Sequence, residues 1–414
     1  MKRNLQSKLA WRLLKQLRKV WVRVLGYAFL AVGTVALAEL LGDLLPRSWS
    51  TSISADAVDR LLSIMASSML AVTTFSLSVA VSAFSAAARS ATPRSTALLQ
   101  QDPTTQNVLS TFLGAFIFSL LGLVAKSAGV YSETGLFVLF VSTALVVLLV
   151  VLAFLRWIAH LMRFGRMEDT LDRVESATAD AIALRRANPL LGGACDSGEE
   201  PAQSQAIHAT VTAYVQHIDM QALAQIAYDH GARLWLKAVP GSFLHRGQVL
   251  ALVEGAELDE AECQRVRSAF TCEHSRTFDQ DPRFGLLVLS EIASRALSPG
   301  VNDPGTAIDV IGRLARVLSH WCPEERQEEA PCPEVLLPAI EPRDLLEDAF
   351  AATIRDAGNI FEVHMRIQKA LSALAQTQPD EFGEPASALA RRSIAVAEKA
   401  GVHTDDLKRL RQDR

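Results

Sequence analysis

LFVLFVSTALVVLLVVLAFLRWI, residues 136–158, carries a single ionisable side chain, Arg156. A hydrocarbon core about 30 Å thick is crossed by roughly 17 to 25 mostly apolar helical residues, so the stretch reads as a membrane span. Three earlier stretches pass the same test, from about Val22 to Leu45, Leu61 to Ala87 and Val108 to Ala125. No comparable run follows residue 160. The chain therefore divides into a membrane half and a water-soluble half.

Four spans would place both chain ends on one side, and the positive charge of short flanks says which. Lys2, Arg3, Lys8, Arg12, Lys15, Arg18, Lys19 and Arg23 precede the first span; Arg89 and Arg94 follow the second, and Arg156, Arg163 and Arg166 close the fourth. The opposite loops hold only Arg47, Arg60 and Lys126. Both termini are expected in the cytoplasm, with the protein in a bacterial inner membrane. The N-terminal stretch is too long in both its charged and its apolar parts for a cleaved signal peptide. Leu5, Leu9, Leu13, Leu17, Val20 and Val24 recur at helical spacing among the basic residues. That pattern suits either a helix lying on an anionic membrane surface or a plain topogenic flank. Trp21, Trp49 and Trp157 fall near span ends, where aromatic belts belong.

The chain has 414 residues, half of them hydrophobic, and a net charge of -4. That charge combines a basic membrane half with an acidic soluble half, which gives no global basic surface for nucleic acid. Cys195, Cys263, Cys272, Cys322 and Cys332 are odd in number, lack a CxxC pair and all follow the last span, so they read as free thiols. Cys272 with His274 is too thin for a zinc site, and neither metal nor cofactor is expected.

After the spans, residues 167–186 read as a charged helix, and 188–205 as a polar linker or surface loop. Residues 207–215 alternate like one strand, Asp219 can cap a helix to about His230, and strands are expected near 232–239 and 248–253. The phrase LKAVPGSFLHRGQVLALVEG, residues 236–255, resembles half of a biotinyl or lipoyl β-sandwich, but no Met-Lys attachment pair follows. The resemblance implies a small β fold and no swinging arm. Residues 281–319 read as helical with one interruption, and 321–343, rich in Pro and Glu, as a loop. Two amphipathic helices, about 343–377 and 385–411, close the chain.

The expected fold is thus four transmembrane α-helices plus a cytoplasmic α+β module with a small β fold and C-terminal helices. Its segments are a basic amphipathic helix (1–21), the membrane domain (22–165), a charged helix and linker (166–205) and the cytoplasmic domain (206–414).

RALSPGVNDPGTA, residues 295–307, with DPRFGLLVLSEIA just before it, resembles the bacterial predicted membrane protein family of unknown function numbered 2254. TPRSTALLQQDPTTQNVLSTFLGAF, residues 92–116, resembles that family's loop between its second and third spans. The resemblance implies architecture and carries no activity or catalytic residues. Physically, SPGVNDPGTA is a helix-loop-helix joint: Pro299 and Gly300 stop one helix, Asp303 caps the next and Pro304 occupies its first turn. Ser298, Asn302, Asp303 and Thr306 also gather polar groups at a helix N-terminus, where anions can bind. Glu291 and Arg295, spaced i, i+4, suit an intrahelical pair.

No nucleophile elbow, phosphate loop or HExxH motif appears, and the histidines are scattered, so enzyme activity has little support. The second span is more informative. Ser63, Ser67, Thr74, Ser78, Ser82 and Ser85 fall within about 100° of arc on a helix. This hydroxyl stripe suits close helix packing, or the lining of a polar pathway with Arg89 and Arg94 at its inner mouth. Glu39 and Asp43, near the outer end of the first span, are functional candidates, with Lys126 available as an ion-pair partner. Two functions follow. One is a homo-oligomeric channel or channel-like transporter with a cytoplasmic assembly or gating module. The other is a membrane-anchored sensor or scaffold that binds a ligand or partner protein at the SPGVNDPGTA joint.

Overall fold

In the computed structural model, which describes residues 20–42, 55–100, 102–196, 201–321 and 330–412, the apolar runs become long helices. These are α1 (Val20–Gly42), α2 (Ala55–Ser90), α4 (Pro103–Ser127) and α5 (Glu133–Leu161), with the short α3 (Pro93–Gln100) between α2 and α4. Polar caps just outside the apolar runs set where α4 and α5 begin. Asp102 accepts the Thr105 amide at 2.6 Å, with Pro103 in the first turn. Ser132 accepts the Gly135 amide at 3.1 Å.

Three of these helices are long and apolar enough to cross a membrane: Asp56–Ala88, Pro103–Ser127 and Gly135–Leu161. The first expected span is helical over Val20–Gly42, but its described apolar stretch is the shorter Val24–Thr34. Among the described residues three of the four expected spans thus meet the test of length and composition, and the first runs on past them toward Leu45. The basic amphipathic stretch before residue 20 lies outside the described residues.

The described residues divide between Thr170 and Leu171 into two compact units. In the membrane unit, Leu62, Met65, Ala80 and Ala87 of α2 meet Phe112, Ala115 and Phe118 of α4 and Ala153 and Trp157 of α5 in two apolar clusters. Helix α1 packs on α4 so closely that a Cβ at Gly114 would lie 2.3 Å from the Tyr27 ring. The Tyr27 hydroxyl donates to Thr111 Oγ1 at 3.1 Å.

The second unit takes most of α6 (Met167–Ala187), the helix expected as a charged connector. Its strands are β1 (Gly193–Cys195), β2 (Gln205–His208), β3 (Ala213–Ile218), β4 (Arg233–Leu236), β5 (Phe243–Leu244), β6 (Val249–Glu254), β7 (Phe270–Glu273) and β8 (Cys332–Leu337). They form a five-stranded sheet in the order β1-β8-β4-β6-β2 and a three-stranded sheet in the order β5-β3-β7. Helices α7 (Met220–His230) and α8 (Glu260–Ala269) share a core with the strands that includes Val215, Leu223, Leu234, Val253, Val266 and Val335.

Several expectations are corrected here. The single strand expected at 207–215 is two strands in different sheets, separated at Ala209–Thr212. The expected loop 321–343 contains β8, which lies between β1 and β4 and pairs parallel with both. The expected linker contains β1, which closes that sheet edge. In the phrase likened to a β-sandwich, β4 and β6 pair in one sheet while β5 belongs to the other.

Helices α9 (Pro282–Ala296), α10 (Pro304–Leu318), α11 (Pro342–Asp356), α12 (Phe361–Thr377), α13 (Pro379–Lys399) and α14 (Thr404–Gln412) complete the unit. The two expected closing helices are thus four. Gly358 and Gly401, at φ 54° and 84°, take left-handed positions at two of the breaks, and Pro379 starts α13.

His364 is fully buried between α12 and α13. Its Nε2 lies 3.0 Å from the Gly358 carbonyl, which can only accept, so the proton sits there, and Nδ1 accepts from Ser393 Oγ at 2.9 Å. Burial holds this imidazole below its ordinary value of 6.5, against the opposing effect of the Gly358 bond.

Two predictions follow from this packing. Gly114→Val is expected to lower thermal stability in detergent by about 1–3 kcal/mol, because the added side chain would run into the Cβ and Cγ of Tyr27, next to the α1 backbone. An unchanged melting temperature would contradict the close approach. For His364 the unfolded chain takes up a proton that the folded chain refuses, so its contribution to stability falls as pH drops below 6.5. The limiting slope is about 1.4 kcal/mol per pH unit. His364→Gln should be less stable at pH 7.5 yet show a shallower loss between pH 7 and 5 in thermal scans.

Candidate functional site

Helix α2 carries two opposed faces. Leu62, Met65, Ser76, Ala80 and Ala87 are buried, whereas Ser63, Ser67, Thr74, Ser78, Ser82 and Ser85 are all exposed. At about 100° per residue the two sets are centred on opposite sides of the helix. Four of the hydroxyls turn back onto their own helix. Ser67 donates to the Ser63 carbonyl at 2.9 Å, Thr74 to Leu70 at 2.9 Å, Ser78 to Thr74 at 3.0 Å and Ser85 to Val81 at 2.9 Å. Back-bonding satisfies the hydroxyl proton and leaves oxygen lone pairs directed outward. Ile64, Leu70, Phe75, Leu77 and Val81 are exposed beside them, so the uncovered face is amphipathic rather than wholly polar.

Lys126 Nζ pairs with Asp59 Oδ2 at 2.5 Å, and Asp59 is one turn into α2. Asp43 and the side chains of Glu39 and Arg89 lie outside the described residues. Arg94 is exposed on α3. At the same end of the α4–α5 pair as the Asp102 cap, His160 Nε2 stands 3.1 Å from Asp102 Oδ2 and 3.2 Å from Thr105 Oγ1. Asp102 is 3% exposed, so the carboxylate that starts α4 also ties it to α5. Sequence reading missed this pair because the two residues are 58 apart and neither belongs to a recognisable motif.

In the second unit, SPGVNDPGTA forms the joint between α9 and α10. Asp303 Oδ1 accepts the Thr306 amide at 3.0 Å, and Oδ2 accepts the Thr306 hydroxyl at 2.6 Å. These bonds hold the Asp303 carboxyl below its ordinary range. Ser298 Oγ donates to the Arg295 carbonyl at 2.7 Å. The Asn302 amide donates to the Ser298 carbonyl at 2.8 Å while its own φ is 51°, a left-handed value that Asn tolerates better than most residues. The loop brings the four named polar residues together, and three of their side chains are engaged within the joint or with its flanking backbone.

Two cationic hubs escaped the sequence reading. Arg313, 7% exposed, donates to Asp172 at 2.6 Å, Glu175 at 2.7 Å and Asp309 at 2.9 Å, which ties α10 to α6. Burial pulls this guanidinium down, but the bonds to Asp172 and Asp309 outweigh burial and hold it above the usual arginine range. Arg283 donates to Asp348 and Asp344, both at 2.6 Å, and so joins α9 to α11. The charged character of residues 168–175 was the only available signal for the first hub.

A family model described as "Predicted membrane protein (DUF2254)" matches residues 18–373. The chain belongs to this family. The DUF2254 match takes in α2, the loop around Asp102 and the SPGVNDPGTA joint, and ends within α12. Uncharacterized proteins of Mycobacterium bovis and Mycobacterium tuberculosis are each 28% identical to this DUF2254 chain over 244 residues, covering 53% of it and 44% of their own length. The chain therefore spans less than half of the curated relatives it matches. No solved structure matches.

The joint yields a direct prediction. Asp303→Ala removes the cap of α10 and is expected to cost about 1 kcal/mol, while Asp303→Asn, also a good cap, should stay within a few tenths. Denaturant titration of the full chain followed by tryptophan fluorescence checks both, and equal losses would show that the carboxylate charge matters more than the cap.

Proposed function

We propose that this DUF2254 protein is a homo-oligomeric, channel-like membrane protein in which copies of α2 turn their hydroxyl faces toward a shared polar pathway. The observation that supports it is the opposition on α2 of a packed apolar face and an uncovered hydroxyl stripe from Ser63 to Ser85. Lipid gains nothing from a row of outward lone pairs, whereas water, ions or a second copy of the helix does. One bundle of this size encloses no aqueous pathway by itself, so a pathway requires several copies around an axis.

The topology that goes with this reading has four spans, with the first formed around α1, and both termini in the cytoplasm of a bacterial inner membrane. The excess of Lys and Arg before α1 and after α2 and α5 supports that orientation. The unit from Leu171 onward would then be a cytoplasmic module that assembles or gates the membrane part. It has no proposed catalytic role.

The alternative function is a membrane-anchored sensor or scaffold, with the spans serving as an anchor. Back-bonding of four stripe hydroxyls favours it, since such groups also tolerate tight helix packing. Planar-bilayer recordings separate the two. Wild type should conduct, and Ser78→Leu should reduce unitary conductance severalfold by placing an apolar side chain in the pathway. Equal silence of wild type and variant, with a single disulfide-linked dimer formed by Ser78→Cys, would favour the packed anchor.

A further inference from the structure

Away from the α9–α10 joint, the second unit contains a cavity of about 230 Å³ whose lining includes Arg185, Gly241, Arg276, Asp281, Arg283 and Ile340. Its walls are fixed. Arg276 makes a two-pronged pair with Asp281, Nε to Oδ2 at 2.8 Å and Nη2 to Oδ1 at 3.0 Å, while Asp281 also caps α9 through the Phe284 amide at 3.2 Å. Arg283 is held by Asp344 and Asp348. Gly241, at φ 94°, sits so close that a Cβ there would lie 2.4 Å from Asp281 Oδ2, so backbone forms part of the wall.

Arg185, near the C-terminus of α6, is the cation left over. It is 2% exposed, and its Nε and Nη1 meet no hydrogen-bond acceptor among the described residues. Burial drives its guanidinium down to about 10, with Asp281 opposing from a distance. The carboxylates of the cavity bond elsewhere, Asp281 to Arg276 and Asp344 to Arg283. A buried guanidinium without an acceptor is strongly unfavourable. Water can satisfy N–H groups but cannot neutralise the charge, whereas an oxyanion does both.

We propose that this cavity is a binding site for a small oxyanion, a carboxylate or phosphate group, received by the guanidinium of Arg185 between the Arg276–Asp281 pair and Arg283. The planar guanidinium matches two oxygens of either group along one edge, Nε with Nη2 or Nη1 with Nη2. The volume is below that of pockets for drug-sized ligands, which restricts the occupant to a small molecule. The site stands apart from the pathway reading of α2 and holds whether or not the protein conducts.

The test uses the full chain purified in detergent, with inorganic phosphate and butanoate as probes and chloride at matched ionic strength as control. Wild type is expected to show a saturable rise in melting temperature, and a calorimetric isotherm, with at least one probe. Arg185→Met keeps the length of the side chain and removes the charge. It should bind at least tenfold more weakly, and without anion it should be no less stable than wild type. If Arg185→Met cannot be purified, Arg185→Lys keeps a charge but loses the fork, and weaker binding is expected again. The proposal is overturned if wild type responds to neither probe at millimolar concentration. It is equally overturned if wild type and the Arg185 variant obtained respond alike, since that pattern marks a general salt effect.

Discussion

Hydrocarbon supplies no hydrogen-bond partner, and the membrane unit is organised around that deficit. Every backbone amide within a span must be answered inside the helix, so the runs that cross are unbroken helices. The same rule extends to side chains. Thr34, Thr73, Ser119 and Thr143 each donate to the carbonyl four residues back, as do the stripe hydroxyls Thr74, Ser78 and Ser85. Polar side chains are thereby made compatible with an apolar surround. What distinguishes the stripe on α2 is its alignment along the face of that helix opposite its packed residues.

The ends of the helices answer to a related constraint, because the first amides of each helix need acceptors that the helix cannot provide. Asp102 and Ser132 provide them for α4 and α5, and Asp219, Asp259, Asp281 and Asp303 do so in the second unit. Asp102 and Asp281 each do more than cap. Asp102 engages His160 on α5, and Asp281 holds Arg276, so in both places a helix start also fixes tertiary structure.

This division of labour explains what could be read from the residues alone. The run at 136–158 appears as Glu133–Leu161, extended by about a turn at each end because Ser132 and the residues after Ile158 lie outside the apolar pattern. The α9–α10 joint was legible for the same reason, since Pro299, Gly300, Asp303 and Pro304 act on neighbours within a few positions. Strand β8 was not. Pro331 and Pro333 mark its start as a loop, and its identity rests on the pairing of Leu336 with Trp235 and of Cys332 with Gly193, more than 90 residues away. The boundary at 207–215 failed likewise, because only the two sheets show that the chain changes partner there. The hydroxyl stripe was visible as a helical pattern, but its exposure depends on which face α4 and α5 cover.

Arg185 was the least legible feature of all. In sequence it belongs to LRRA at the end of a charged helix, where basic residues commonly complement the helix dipole. Three buried or half-buried arginines of the same unit show how the fold ordinarily treats such a charge: Arg313 meets three carboxylates, Arg283 meets two and Arg276 takes a two-pronged grip on one. Arg185 is buried more deeply than Arg313 and has no carboxylate in hydrogen-bond contact among the described residues. A fold that answers those three cations with carboxylates and leaves this one lining a cavity has left the counter-charge to come from outside the chain.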